Sequence, residues 1–183
     1  MKRSIVQCLI LFAVSLSMFS IFYGCAKEKE ETAPAEAPDF TLKTLEGDEM
    51  ALSKLRGTVV LLDFWATWCA PCRESIPHLI QLHKTYQEKG FKVIGISIDK
   101  EKDGDALRHY VKSMDIPYPV VLASDEVTRQ YGVSGIPATF LIDREGKIRE
   151  KVVGFNDTIA KHLTAKVSEL TGEKPQQGKI NSN

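Results

Sequence analysis

Apolar positions along the chain follow two rhythms. Val59–Phe64 (VVLLDF) is an apolar run of strand length interrupted by one acid, Asp63, and Lys92–Ile98 (KVIGISI) is a second such run. Continuous runs of this kind predict strands buried on both faces. Between them the period lengthens. From Pro71 to Lys89 the positions Ile76, Leu79, Ile80, His83 and Tyr86 recur at helical spacing, and Gly90 closes the pattern. Pro77 falls inside this helix, where it removes the bond to the Arg73 carbonyl and should kink the axis. Ala106, Leu107, Tyr110, Val111 and Met114 form another amphipathic set, ended by Ile116-Pro117.

The remaining pattern completes a class. Phe40-Thr41-Leu42 and Met50-Ala51-Leu52, on either side of Glu46-Gly47, predict a short N-terminal hairpin. Tyr118–Leu122 is expected as a strand and Glu126–Tyr131 as a helical turn. Thr139–Asp143 and Lys147–Val153 are expected as strands, joined by the turn residues Arg144-Glu145-Gly146. Asn156 is a candidate N-cap for a last helix reaching about Leu170. Strand–helix alternation followed by a terminal hairpin and helix predicts an α/β fold, with a mixed central sheet and helices on both faces. No internal repeat is visible.

Composition narrows the possibilities. A chain of 183 residues holds one sizeable core plus tails, and is too short for two ordinary domains. Lys plus Arg and Asp plus Glu number 24 each, so no net field would recruit nucleic acid or an anionic membrane surface.

The first residues point to export. Lys2 and Arg3 precede 21 uncharged residues, Ser4 to Gly24. This is the pattern of a signal peptide or a signal anchor over residues 1–24. At about 1.5 Å per residue, a helix of that length also reaches across a hydrocarbon core of about 30 Å. The basic start stays inside, so the remainder faces out. "FYGC", ending at Cys25, resembles the lipobox of bacterial lipoprotein signals, in which a small residue precedes a cysteine that becomes lipidated. Gly24 fits that pattern, whereas Phe22 and Tyr23 depart from it, so an uncleaved anchor stays open beside a lipidated Cys25. Residues 25–38 read as a solvated linker, 39–171 as the folded domain, and 172–183 as a frayed tail.

The four cysteines separate into Cys8 and Cys25 near the N-terminus and the pair Cys69/Cys72 in the body, so a disulfide scaffold is excluded. Cys69-Ala70-Pro71-Cys72 follows a strand and opens a helix. There, unpaired backbone N–H groups and the positive dipole end favour a thiolate at Cys69, and Cys72 points back to close a disulfide. Pro71 suits the first helical turn. A structural zinc site needs four ligands, but no second cysteine pair exists and His78 and His83 lie farther along the helix. A structural disulfide closing so small a loop would remove little chain entropy. A redox reagent is the reading that remains, with no metal and no cofactor. Asp63, six residues before Cys69, should have a raised pKa in its apolar run. It is a candidate acceptor, through a water, for the proton of Cys72. The alternative is an edge position bonded to solvent.

"DFWATWCAPC" (63–72) resembles the active-site signature of the thioredoxin superfamily, and Pro77, "GVSGIPATFLID" (132–143) and the closing hairpin and helix agree with it. "APDFTLKTLEGDEMALSKLRG" (37–57) and the additional Ala106–Met114 helix are similar to the extracytoplasmic ResA/TlpA group of AhpC/TSA-Redoxin type, which are tethered thiol–disulfide oxidoreductases. The resemblance covers about residues 37 to 171. It implies that Cys69 is the nucleophile, Cys72 the resolving thiol, Asp63 the buried proton acceptor and Pro137 a cis-proline facing the dithiol. It also implies that Ile136 offers its backbone to an extended client strand, and that Trp65, Trp68 and Pro71 shape an apolar rim. Trp65 is expected mainly as core.

The implied partners are disulfide-containing client proteins, with apocytochrome c haem-site cysteines foremost, and a membrane electron donor of the CcdA or DsbD type. Members of the group often carry Glu three residues after the second cysteine. Ser75 stands there, with Glu74 displaced by about 100° around the helix. The acid-gated selectivity of the group is therefore not carried over, and Asp63 is left with the proton chemistry. A peroxidase of the peroxiredoxin class would need a Pro-x3-Thr-x2-Cys pattern; Thr67 lies two residues before Cys69 and no Pro occupies the required place. A tethered metal or haem chaperone using the same dithiol is the alternative function, with the additional helix as its docking surface.

Overall fold

The computed structural model describes residues 35–100 and 104–172; the readings for the N-terminal segment, for Cys25, for the linker as far as residue 34 and for the tail from 173 lie outside the described residues. Elements follow in the order β1 (Thr41–Lys43), β2 (Glu49–Ala51), β3 (Val59–Trp65), α1 (Ala70–Tyr86), β4 (Phe91–Ser97), α2 (Gly104–Ser113), β5 (Val120–Leu122), α3 (Asp125–Gln130), β6 (Ala138–Ile142), β7 (Ile148–Val153) and α4 (Asp157–Thr171). Short 3-10 turns at Leu52–Leu55 and Gln87–Lys89 end β2 and α1. The first of these turns carries no signal in the apolar pattern.

The main sheet has the order β5-β4-β3-β6-β7. β4 runs parallel to β3 and β5 parallel to β4, whereas β6 is antiparallel to both β3 and β7. β3 is thus central, and all seven of its residues are buried. Period 2 divides them between two cores. Val60, Leu62 and Phe64 face a core closed by Phe40, Leu52, Val127, Tyr131 and Phe140. Val59, Leu61 and Trp65 face the other, closed by Ile76, Leu79 and Leu82 of α1, Leu107 of α2 and Val167 of α4. Asp63 belongs to this second face, the one that carries Cys69 and Cys72.

Helix ends follow local chemistry. The Asn156 side chain accepts the Ile159 N–H at 2.9 Å and opens α4 as expected. The Ser124 hydroxyl caps α3 through Val127 N–H at 3.2 Å. The free edge of β5 is covered by the N-terminal hairpin loop, where Leu45 N–H donates to the Val120 carbonyl at 3.1 Å. Blunting an edge in this way removes a template for pairing with other chains. At the opposite edge, Ile148 N–H donates to the Ala35 carbonyl at 2.8 Å, and Ala37 is buried. Residues 35–38, read from composition as the end of the linker, therefore pack on the domain, because an uncharged Ala and Pro find apolar surface there.

Gly95 shapes the wall beside the strand acid. It pairs directly with Asp63 across β3 and β4. A Cβ at this position would stand 3.0 Å from Trp65 Nε1, 3.3 Å from Val120 and 3.4 Å from Tyr118. The missing side chain lets two aromatic rings close over the strand beside the acid. Gly95→Ala overpacks this wall, and a loss of about 1–3 kcal/mol is expected in urea unfolding.

Candidate active site

The dithiol sits where β3 hands the chain to α1. Cys69 is the N-cap of the helix, in extended backbone geometry, and its Sγ accepts the Cys72 N–H at 3.2 Å. One of the otherwise unpartnered donors of the first turn is thereby satisfied by sulfur. Pro71 occupies the first turn, where its lack of an N–H costs nothing. Cys69 and Cys72 are joined as a disulfide, with Cα atoms 5.3 Å apart. Cys69 is slightly exposed, at 6%, and Cys72 is fully buried. An incoming group therefore meets the first sulfur and not the second.

Around the sulfurs, Trp68 is 66% exposed and is one of two large exposed apolar residues among those described. Pro71 is exposed beside it. The Ile136–Pro137 bond is cis, and the Pro137 carbonyl accepts Gly154 N–H at 2.8 Å, which ties this corner to the end of β7. Ile136 is half-buried and precedes β6, so its backbone stands outside the sheet ladder. Trp65 is buried, as expected for core, with its ring 5.7 Å from that of Tyr110.

Asp63 is 1% exposed in the central strand, not at an edge. The Thr139 hydroxyl donates to its Oδ1 at 3.1 Å, directly across from β6. Burial outweighs that single bond and raises the carboxyl from 3.8 to about 7. Burial, together with the neighbouring Asp63 carboxylate, pushes the Tyr118 phenol up. An acid with this value exchanges a proton readily near neutrality.

Ser75 is buried one turn below the dithiol, and its hydroxyl donates to the Cys72 carbonyl at 2.8 Å. It brings no charge to the site. His78 turns to α4, with Nε2 3.5 Å from the Thr164 hydroxyl, and His83 turns to β4, with Nδ1 accepting Val93 N–H at 3.4 Å. Neither approaches the sulfurs. Among the described residues no group of three or more His, Cys, Asp or Glu is arranged to hold a metal ion, and no helix is long and apolar enough to cross a membrane.

Sequence reasoning missed the partners of the loop between β3 and α1. Thr67, Ser97 and Asp99 meet there, and Thr139 and Gly95 flank Asp63. A polar Ser-x-Asp at the end of a buried strand was the available signal.

The comparisons agree with this geometry. Residues 34–151 match the family described as the AhpC/TSA family. The chain is 35% identical over 153 residues to the thiol-disulfide oxidoreductase ResA of Bacillus cereus, covering 83% of this chain and 86% of that protein. A putative thiol:disulfide interchange protein DsbE from Chlorobium tepidum superposes with a TM-score of 0.71 at 37% identity, covering 76% of this chain and 97% of that one. A pneumococcal exposed lipoprotein thioredoxin of Streptococcus pneumoniae superposes with a TM-score of 0.61 at 28% identity, covering 73% of this chain and all of that one.

The raised Asp63 pKa has a thermodynamic consequence. Between 3.8 and about 7 the folded chain holds a proton that the unfolded chain has released, so stability falls as pH rises through this window. Above it the loss amounts to about 4 kcal/mol. Asp63→Asn removes the titration. Its unfolding stability should exceed that of the parent by several kcal/mol at about pH 9, and by little at about pH 4. Equal gains at both values would detach the effect from Asp63 ionisation.

Proposed function

This chain belongs to the AhpC/TSA family and is a thiol–disulfide oxidoreductase of the thioredoxin fold, and from that premise we propose that it reduces client disulfides on the outer side of the membrane to which it is tethered. The observation that carries the reading is the asymmetry of the pair, with an accessible Cys69 at a helix N-cap and a sealed Cys72 over the face that holds Asp63.

In the reduced chain, the Cys69 thiolate attacks one sulfur of a client disulfide. A bond forms between Cys69 and that sulfur, and the other client sulfur leaves as a thiolate and takes a proton. The Cys72 thiol gives its proton to the Asp63 carboxylate through a water, and its sulfur attacks Cys69 Sγ. The Cys69–Cys72 bond closes, and the second client sulfur departs and is protonated in turn. The client gains two electrons and two protons, and the disulfide form of this chain remains. A dithiol donor in the membrane, of the CcdA or DsbD type, restores the electrons. Cysteines of apocytochrome c haem sites are the leading client class, on family resemblance alone.

Client recognition falls to the rim. Trp68 and Pro71 present apolar surface, and Ile136 before cis-Pro137 offers main-chain groups to an extended strand. The tether is read from residues 1–24 and Cys25; the pneumococcal relative named as an exposed lipoprotein supports lipidation over an uncleaved anchor.

Two experiments test these roles. Cys72→Ser should accumulate mixed disulfides with clients in cells, and Cys69→Ser should not. Trapping by both variants or by neither overturns the assignment, and retention of metal or haem by the reduced chain without client reduction would favour the chaperone reading. For the tether, the intact mass of the membrane form should correspond to an acylated chain beginning at Cys25; a mass that retains residues 1–24 means an uncleaved anchor.

A further inference from the structure

Asp99 lies outside the dithiol and two positions beyond the end of β4, yet it is only 8% exposed. Its two oxygens collect three donors. Oδ2 accepts the Thr67 N–H at 3.0 Å and the Ser97 hydroxyl at 2.7 Å, and Oδ1 accepts the Thr67 hydroxyl at 2.8 Å. The Ser97 oxygen in turn accepts the Asp99 N–H at 3.1 Å, which fixes the carboxylate from behind. The Thr67 carbonyl accepts from Arg73 Nη1 at 3.4 Å. Backbone N–H, carbonyl and hydroxyl of Thr67 are thus all held, two residues before Cys69. The Cys69 backbone is fixed as well, because its N–H donates to the Ala66 carbonyl at 3.1 Å.

We propose that Asp99 is the positioning residue of the active-site loop, holding Cys69 Sγ at the N-cap of α1 after the disulfide has opened. The inference rests on the reading of Cys69 as the nucleophile. In the oxidised chain the S–S bond keeps both sulfurs together, so the clamp adds little there. Once that bond is broken, Cys69 is held by its contact with the Cys72 N–H and by the loop that delivers it. A sulfur that drifts from the cap loses that N–H and the positive end of the helix, and its pKa returns towards the free value of about 8.5.

Two roles for Asp99 make opposite predictions. Acting only through its charge, a carboxylate near the loop opposes a thiolate, so its removal would lower the Cys69 pKa. Acting as a clamp, its removal raises that pKa. Of the other charged groups, Arg73 of α1 reaches the loop at the Thr67 carbonyl, Lys43 of β1 and Arg108 of α2 line a cavity of about 360 Å³ together with Asp99, and Asp63 lies on the β3 face that carries the dithiol. All four stay in place when Asp99 or Thr67 is substituted.

The test uses the reduced chain carrying Cys72→Ser, with iodoacetamide alkylation of Cys69 followed from acid to alkaline pH by peptide mass, which separates it from Cys8 and Cys25. Asp99→Ala and Thr67→Val should each raise the midpoint by about one pH unit, a loss approaching tenfold in thiolate at neutral pH. Asp99→Asn keeps an acceptor for the Thr67 N–H and should move the midpoint less. Thr67→Val carries the test if Asp99→Ala does not fold. A midpoint that stays or falls in the folded variants overturns the proposal, as does lower melting of both redox states, measured in chains that keep Cys72, without a change in midpoint. A midpoint at the free-thiol value in the parent itself would instead overturn the reading of Cys69 as nucleophile.

Discussion

One hydrogen bond, from the Thr139 hydroxyl, is the direct support given to a carboxylate in the middle of a sheet. Asp63 is tolerated because the surrounding sheet is saturated with apolar packing and because the group can keep its proton. Ionised and alone at that depth it would cost more than the fold can carry. With one donor and a proton near neutrality, the cost becomes a few kcal/mol that depends on pH. A central strand buried on both faces, with neighbours hydrogen-bonded on either side, keeps solvent from relieving the acid. Gly95 contributes by absence, since the rings of Trp65 and Tyr118 close where a side chain would have stood.

The same strand delivers the dithiol. β3 ends at Trp65, and four residues later Cys69 caps α1. Because the odd positions of β3 face α1, strand period and helix start together place the acid and the sulfurs on one side of the sheet. Pro77 has no N–H for the Arg73 carbonyl, yet α1 continues to Tyr86 because its apolar face is packed on β3 and β4. Tertiary burial outweighs the missing bond.

Much of this could be read from the chain. The runs VVLLDF and KVIGISI announced buried strands, Asn156 announced a cap, and Asp63 stood out because an acid breaks an apolar run. Boundaries shifted where packing rather than periodicity decides. β5 begins at Val120, not Tyr118, since the Tyr118 ring is drawn over Gly95 and against His83. Residues 35–38 looked like linker because nothing local shows that a distant strand edge awaits them. Asp99 was hard to place for the same reason: Ser-x-Asp ends a buried strand, but Asp-Lys after it reads as a solvated turn, and Thr67 lies 32 residues away.

Asp63 and Asp99 together show how environment divides the work of one residue type. Both are nearly sealed from water, one within β3 and one just past the end of the adjacent β4. The difference lies in the donors that reach them. Asp63 has a hydroxyl from one neighbouring strand and a glycine on the other, so burial dominates and its proton is exchangeable near neutrality. Asp99 has three donors, two of them from a single loop residue, and its oxygens are committed to holding that residue in place. A carboxylate left short of donors is suited to moving a proton, and one supplied with them is suited to fixing a backbone. The proposed exchange would use both, one to take the proton of the resolving sulfur and the other to keep the attacking sulfur on its helix cap when the covalent link between them is gone.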